Sequence, residues 1–216
     1  MPVLIVVGVL ALSGALFASW YFSRDVRARR KLARTPMQAI VDVVPGTITR
    51  LTGKIQPLAE QLTAPMSGRR CAYYLVLVEE YRSRGKSSHW VEILREEESV
   101  DFLLHDNTGI AHIEMVAPQV AVVRDHRTRS GTFDDASAVE AGFLARFEEQ
   151  ATNFLGLNRT LRYTEGALEF GEQITVLGAA RPGEGQVDLV LETPPQGPML
   201  LTDHPDTVKA GPRALK

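Results

Sequence analysis

The chain has 216 residues, 44% hydrophobic and 23% charged, with a formal net charge of −2, the proportions of an ordinary folded protein. Its single cysteine, Cys71, excludes an intrachain disulfide and any cysteine-based zinc site. The positive charge is concentrated near the N-terminus, so the remainder is acidic, which argues against a nucleic-acid partner.

Val3 to Phe22 reads VLIVVGVLALSGALFASWYF, without a charge and without a polar stripe. As a helix it is about 30 Å long, the thickness of a bilayer's hydrocarbon core. Trp20 and Tyr21 close the run where amphipathic rings prefer the headgroup level, and Arg24, Arg27, Arg29, Arg30, Lys31 and Arg34 follow it. A cleaved secretory signal is the competing reading, with Ala15 to Ala18 as its loose cleavage site. Such signals carry their basic residues before a shorter apolar stretch, and here they follow it. The expectation is a single-pass anchor over residues 1–23 with its N-terminus outside, a basic juxtamembrane linker over 24–44 and a soluble domain on the cytoplasmic side. Trp20, Tyr21, Arg24, Arg27, Arg29, Arg30 and Lys31 form the expected lipid interface. Ala11/Ala15 and Gly14/Ala18 have the small-xxx-small spacing that permits homo-oligomers through the anchor.

Pro36 and Pro45-Gly46 then break any helix continuing from the membrane. Residues 46–55 read as a strand and 62–68 as a Pro- and Gly-bearing turn. Cys71 to Ser83, aromatic and β-branched and turning polar late, predicts a long strand half-buried at first and exposed afterwards. His89 to Glu98 returns as its hairpin partner. Val100 to Met115 places two apolar runs around Asp106-Asn107-Thr108-Gly109, a turn of residues that tolerate left-handed backbone. If Asp106 pairs with Gly109, His105 opposes Ile110 and His112 opposes Leu103. Residues 124–135 read as a polar loop, and Ala136 to Gly156 as the helix outside the membrane, with Val139, Phe143, Phe147 and Phe154 near a 3.6-residue period. Asp134 and Asp135 favour its start. Leu161 to Ala180 reads as strands with two Gly-marked turns, followed by strands at 186–193 and 198–203; residues 205–216 read as a loose tail. The fold class is mainly β, antiparallel and barrel-like or two-layered, with one packed α-helix and the N-terminal transmembrane helix.

No constellation in the chain supports catalysis. Cys71 lies in an apolar run with no base nearby and reads as a small hydrophobe. His105 and His112 fall diagonally on one face, yet two histidines make half a zinc site, so no metal or other cofactor is expected. Ser83-Arg84-Gly85-Lys86 has S-x-x-K spacing on a polar tip without companion motifs, and reads as turn chemistry. The tip itself is more informative. Tyr81, Arg82, Arg84, His89 and Trp90, and the loop Arg124 to Thr132, carry the aromatic and arginine types that dominate interface energetics, and are the candidate partner contacts.

The series APMSGRRCAYYLVLVEE, SSHW, VDFLLHDNTGIAHIEM, RYTEGALEFGEQITVLGAA and PMLLTD resembles the GIDE, or "beside a membrane", domain over residues 45–204. The resemblance assigns Gly68, Cys71, Tyr74, Asp106, Gly109, Glu165, Leu168, Gly171 and Gly178 as structural motif residues. It implies a domain placed beside a transmembrane helix, as in a mitochondrial outer-membrane ubiquitin ligase, its plastid relatives and many bacterial membrane proteins. The ligases add a second transmembrane helix and a RING finger. One cysteine cannot supply RING ligands within these residues, so the resemblance is to a prokaryotic member without that catalytic part. Two functions follow: a membrane-anchored, non-catalytic binding or scaffolding module whose partners are the lipid bilayer and a protein, or, by family label, a ubiquitin-transferase-like protein.

Overall fold

The computed structural model describes residues 28–32, 34–84, 87–130, 137–147 and 160–208. The predicted span and its flanking Trp20, Tyr21, Arg24 and Arg27 lie outside the described residues. Among the described residues no helix is long and apolar enough to cross a membrane. The strands are β1 (Ile48–Pro57), β2 (Leu62–Thr63), β3 (Arg70–Arg84), β4 (Ser87–Ser99), β5 (Phe102–His105) and β6 (Ile110–Ile113). They continue as β7 (Gln119–Ala121), β8 (His126–Ser130), β9 (Leu161–Glu169), β10 (Gln173–Pro182), β11 (Leu189–Glu192) and β12 (Leu200–Thr202). Two helices, α1 (Ala138–Ala145) and α2 (Pro205–Val208), a 3-10 turn at Ile40–Asp42 and a helical stretch over 28–32 complete the described elements.

Five strands close a barrel. β1 pairs β5, β5 pairs β6, β6 pairs β11, β11 pairs β10, and β10 returns to β1; every pair is antiparallel except β6–β11. Renumbered along the chain this is the order 1-2-3-5-4-1 with one parallel closure, the threading of OB-type barrels. The period-two pattern explains the closure. Phe102, Leu104, Ala111 and Ile113 point inward with Leu51, Ile55, Ile174, Val176 and Leu191, while Leu103, His105, Ile110 and His112 stay partly exposed. The register of the β5–β6 hairpin is the one its turn predicts, with His105 opposite Ile110 and Leu103 opposite His112. Asn107 has φ 72° in that turn, and the Asp106 carboxylate accepts the backbone N–H groups of Thr108 and Gly109. Gly109 is required by close approach, because a Cβ there would sit 2.7 Å from Asp188 Oδ2.

A second antiparallel sheet, ordered β4-β3-β9-β8 with β2 beside the start of β3, is inserted between barrel strands. Cys71 to Val78 is buried throughout rather than half-buried. Tyr73, Leu75 and Leu77 pack into the barrel core, whereas Tyr74, Val76 and Val78 pack with Phe143 of α1 and with Leu161 and Tyr163. A strand covered on both faces reads as a continuous apolar run, and AYYLVLV is one. Ser137 and Glu140 form a reciprocal capping box at the start of α1. Val139 is 48% exposed, against the predicted apolar face, because the short helix buries only the side bearing Phe143. Asp134, Asp135 and Phe154 lie outside the described residues.

Three further segments depart from the sequence reading. The polar stretch after Arg124 contains β8, an edge strand whose Thr128 hydroxyl donates to Glu140 at 2.5 Å. Leu161 to Ala180 has one turn, with Gly171 at φ 90°, because Gly166 and Gly178 lie inside strands. The described parts of the predicted 24–44 linker and 205–216 tail pack on the barrel. Residues 28–32 are helical and set Ala28 and Leu32 against Leu177 and Leu200. Thr207 of α2 is buried, and its carbonyl accepts the guanidinium of the 2% exposed Arg50 at 2.6 Å.

Candidate functional site

β3 and β4 run to 15 and 13 residues against 10 for the longest barrel strands, and their far end, exposed at 81–83 and 87–89, forms a platform. Tyr81 and Trp90 face each other across β3 and β4, with ring centroids 5.3 Å apart. The Arg162 guanidinium lies 4.3 Å from the Trp90 ring centroid and Arg129 lies 5.6 Å from it, both within cation–π range. Arg162 is held there by a fork onto the Glu79 carboxylate at 2.6 and 2.7 Å. Trp90 is half-buried under these arginines, intermediate between a free tip and a core residue.

The edge strand β8 adds exposed positive charge to the platform. Arg129 pairs in register with Arg162, so Arg127, two residues earlier, shares its face. Both side chains are exposed, and among the described residues neither has a carboxylate partner. Arg82 is instead satisfied by Glu80 at 2.7 Å, and the exposed His89 opposes it. Arg84 ends β3 opposite Ser87. The structure therefore brings Tyr81, Trp90 and part of the predicted 124–132 loop together, and adds Arg162, which sequence reasoning missed. The available signal was an arginine between apolar positions of LRYTEGALE, where it must leave the buried face.

A second polar cluster clasps the turn between β2 and β3 to β9 and to the residue before β8. Glu165 is fully buried, and accepts the Met66 N–H at 2.8 Å and the Ser67 hydroxyl at 2.5 Å. Arg69 lies 3.5 Å from the same carboxylate and 2.8 Å from both Asp125 and Glu169. Hydrogen bonding to Asp125 outweighs burial and raises the Arg69 pKa. Cys71 is packed beside this clasp with no exposed surface; burial first, then the Glu165 charge, pushes its thiol up to about 11. A thiol so protonated is not a nucleophile near neutral pH. The Tyr74 hydroxyl lies 2.6 Å from the Glu96 carboxylate and 2.8 Å from that of Glu98, which share its one proton, and Gly68 has φ 72° in the turn leading to Arg69.

The motif residues of the sequence reading thus hold turns, strand crossings and the clasp. The family model for GIDE, described as an E3 ubiquitin ligase, matches residues 73–207, more than half of the chain. The chain belongs to the GIDE family. No curated protein and no solved structure matches it.

Within this GIDE domain, Leu168 fills the core between the sheets, and a Cβ on Gly178 would come 3.0 Å from the Glu192 carbonyl. The histidines flanking the hairpin turn are not brought to a metal-binding group. His112 Nε2 lies 3.2 Å from Asp101, and no set of three metal-ligating side chains occurs among the described residues. Asp106 shows the opposite balance from Cys71. Burial disfavours its charge, but hydrogen bonds from Thr108, Ile40 and Gly109 win and lower its pKa. Two carboxyls near the clasp go the other way. Burial raises Glu172 to about 7 and Asp203 to about 6, with nearby Asp125 adding to both rises.

Proposed function

We propose that this GIDE-family chain is a membrane-anchored, non-catalytic binding module that presents the Trp90 platform to an anionic segment of a protein partner. The carrying observation is that Arg127 and Arg129 stand exposed and, among the described residues, unpaired by carboxylates, beside a Trp90 ring that Arg162 and Glu79 hold in place. Aromatic and arginine side chains on a rigid sheet lose little freedom on binding, and such residues concentrate interface energy. The anchor is the apolar run Val3 to Phe22, with the domain on the cytoplasmic side by the charge of the residues that follow. Homo-oligomers through Gly14 and Ala18 are a compatible arrangement of that anchor.

A photo-crosslinking amino acid at Tyr81 in the full chain, irradiated in membranes, tests the platform. The reading predicts a discrete adduct that Arg127→Ala together with Arg129→Ala removes. An adduct pattern unchanged by both substitutions contradicts it.

The family description favours a ubiquitin-transfer reading. Chemistry for that reading is not supplied by Cys71, which is buried and protonated. Ligase chemistry, in this reading, lies outside residues 1–216.

A further inference from the structure

We infer that one end of the barrel is a bilayer-docking face, formed by Arg30, Lys31 and Arg34 together with Val41, Val44 and Ile48, that seats on anionic lipid. The inference rests on the anchored reading and adds the orientation of the domain. Three observations carry it.

The first is attachment. Ala28 and Leu32 are packed against Leu177 and Leu200, so residues 28–32 move with the barrel. Between Phe22, the end of the apolar run, and Ala28 there are few residues, and an extended chain at 3.3–3.6 Å per residue spans at most about 20 Å over them. The face bearing this helix therefore stays within about two screening lengths of the lipid headgroups.

The second is charge. Burying Ala28 and Leu32 turns Arg30, Lys31 and Arg34 outward, and they line an open depression with Thr35. From 28 to 48 the charged residues are Arg29, Arg30, Lys31 and Arg34 against Asp42. The 28–48 segment is cationic, four basic residues against one acid, and outnumbers Asp106 and Asp188, which lie against it near Ile40, while the rest of the domain is acidic; this matches an anionic bilayer surface.

The third is exposed apolar surface in the same segment. Val41 is 69% exposed, Val44 64% and Ile48 48%. The backbone holding them is fixed: the Ile40 N–H donates to Asp106 at 2.8 Å, and Gly46 donates to the Ala180 carbonyl at 2.7 Å. Branched apolar side chains on a tied-down turn in the same segment as basic residues are what an interfacial contact uses.

The test uses the full chain in nanodiscs of phosphatidylcholine or of phosphatidylglycerol, with a thiol-reactive nitroxide at Val44→Cys or, as control, at Val116→Cys. Val116 is 65% exposed and follows the far end of β6 from the turn that holds Val41. The expected result is protection of position 44 from an aqueous relaxation agent in phosphatidylglycerol, with position 116 exposed in both lipids. Reversing Arg30, Lys31 and Arg34 to Glu lowers the docked-to-free ratio by at least about fivefold per basic residue. A label at 44 as accessible as that at 116, in a chain that co-elutes with phosphatidylglycerol discs, overturns the docking face and leaves the anchor standing. Equal protection in both lipids overturns its electrostatic part. A chain that does not co-elute with discs overturns the anchor and the docking face together.

Discussion

Arg162 lies 4.3 Å from the centre of the Trp90 ring while both ends of its guanidinium fork grip Glu79. The pair fixes an aromatic side chain on the platform. Arg162 and Glu79 are each less than one-fifth exposed, so the ion pair is not a surface pair screened to nothing. Replacing Glu79 with Ala strips the fork and lowers unfolding free energy by about 1–2 kcal/mol, measured by urea denaturation. Trp90 fluorescence shifts to the red in the same variant, because the ring loses its cover. Unchanged emission shows that Glu79 does not position the ring.

Glu165 carries more. Its carboxylate has no exposed surface, and three groups depend on it: the Met66 N–H, the Ser67 hydroxyl and Arg69. Glu165→Ala is expected to cost about 3–5 kcal/mol, since it orphans a buried donor and a partly buried cation. Asp125 is 54% exposed, and Asp125→Ala is expected to cost under about 1 kcal/mol. Equal losses in the two variants show that the clasp is not centred on Glu165.

Cys71 provides a chemical readout of the same region. With its thiol raised to about 11 and no surface exposed, it is expected to resist iodoacetamide at pH 8 in the native chain and to react once urea unfolds it. Rapid stoichiometric labelling of the native protein contradicts the buried, non-nucleophilic assignment.

The β5–β6 hairpin was legible to the residue, because the Asp106 to Gly109 turn and the alternation of FLLH and IAHI specify one register. β8 was not. HRTRS is polar because it is an edge strand, one face under α1 and the other carrying Arg127 and Arg129, so its composition imitates a loop. The division into barrel and second sheet was equally hidden. β1 meets β10, and Arg69 meets Glu165, only after the chain has passed through other strands, and no local pattern records such meetings. The platform was half visible: Tyr81 and Trp90 stood out by type, whereas Arg162 and Arg129 acquire their role only through the β8–β9 register.

The two raised carboxyls set a pH dependence with a definite sign. Glu172 and Asp203 hold protons in the folded state up to about 7 and about 6, above their ordinary 4.5 and 3.8. Between those values the native state binds more protons than the unfolded one, so stability falls as pH rises. The contribution is complete below the ordinary values and gone above about pH 7. Asp106 and Asp125 are lowered, and their contribution is lost in the opposite direction, as pH falls below 3.8. Melting temperature is therefore expected to decline from pH 5 to pH 7.5, and Glu172→Gln is expected to flatten that limb. A wild-type profile rising through this window contradicts the assignment.

The most direct test of the whole account is whether the full-length chain stays in lipid. Carbonate-washed membranes from cells expressing it are floated on a density gradient, and the protein is weighed by intact mass spectrometry. The account predicts the complete 23.8 kDa polypeptide, Val3 to Phe22 included, in the floating lipid fraction. A product trimmed near Ala18 and recovered from the aqueous fraction contradicts it.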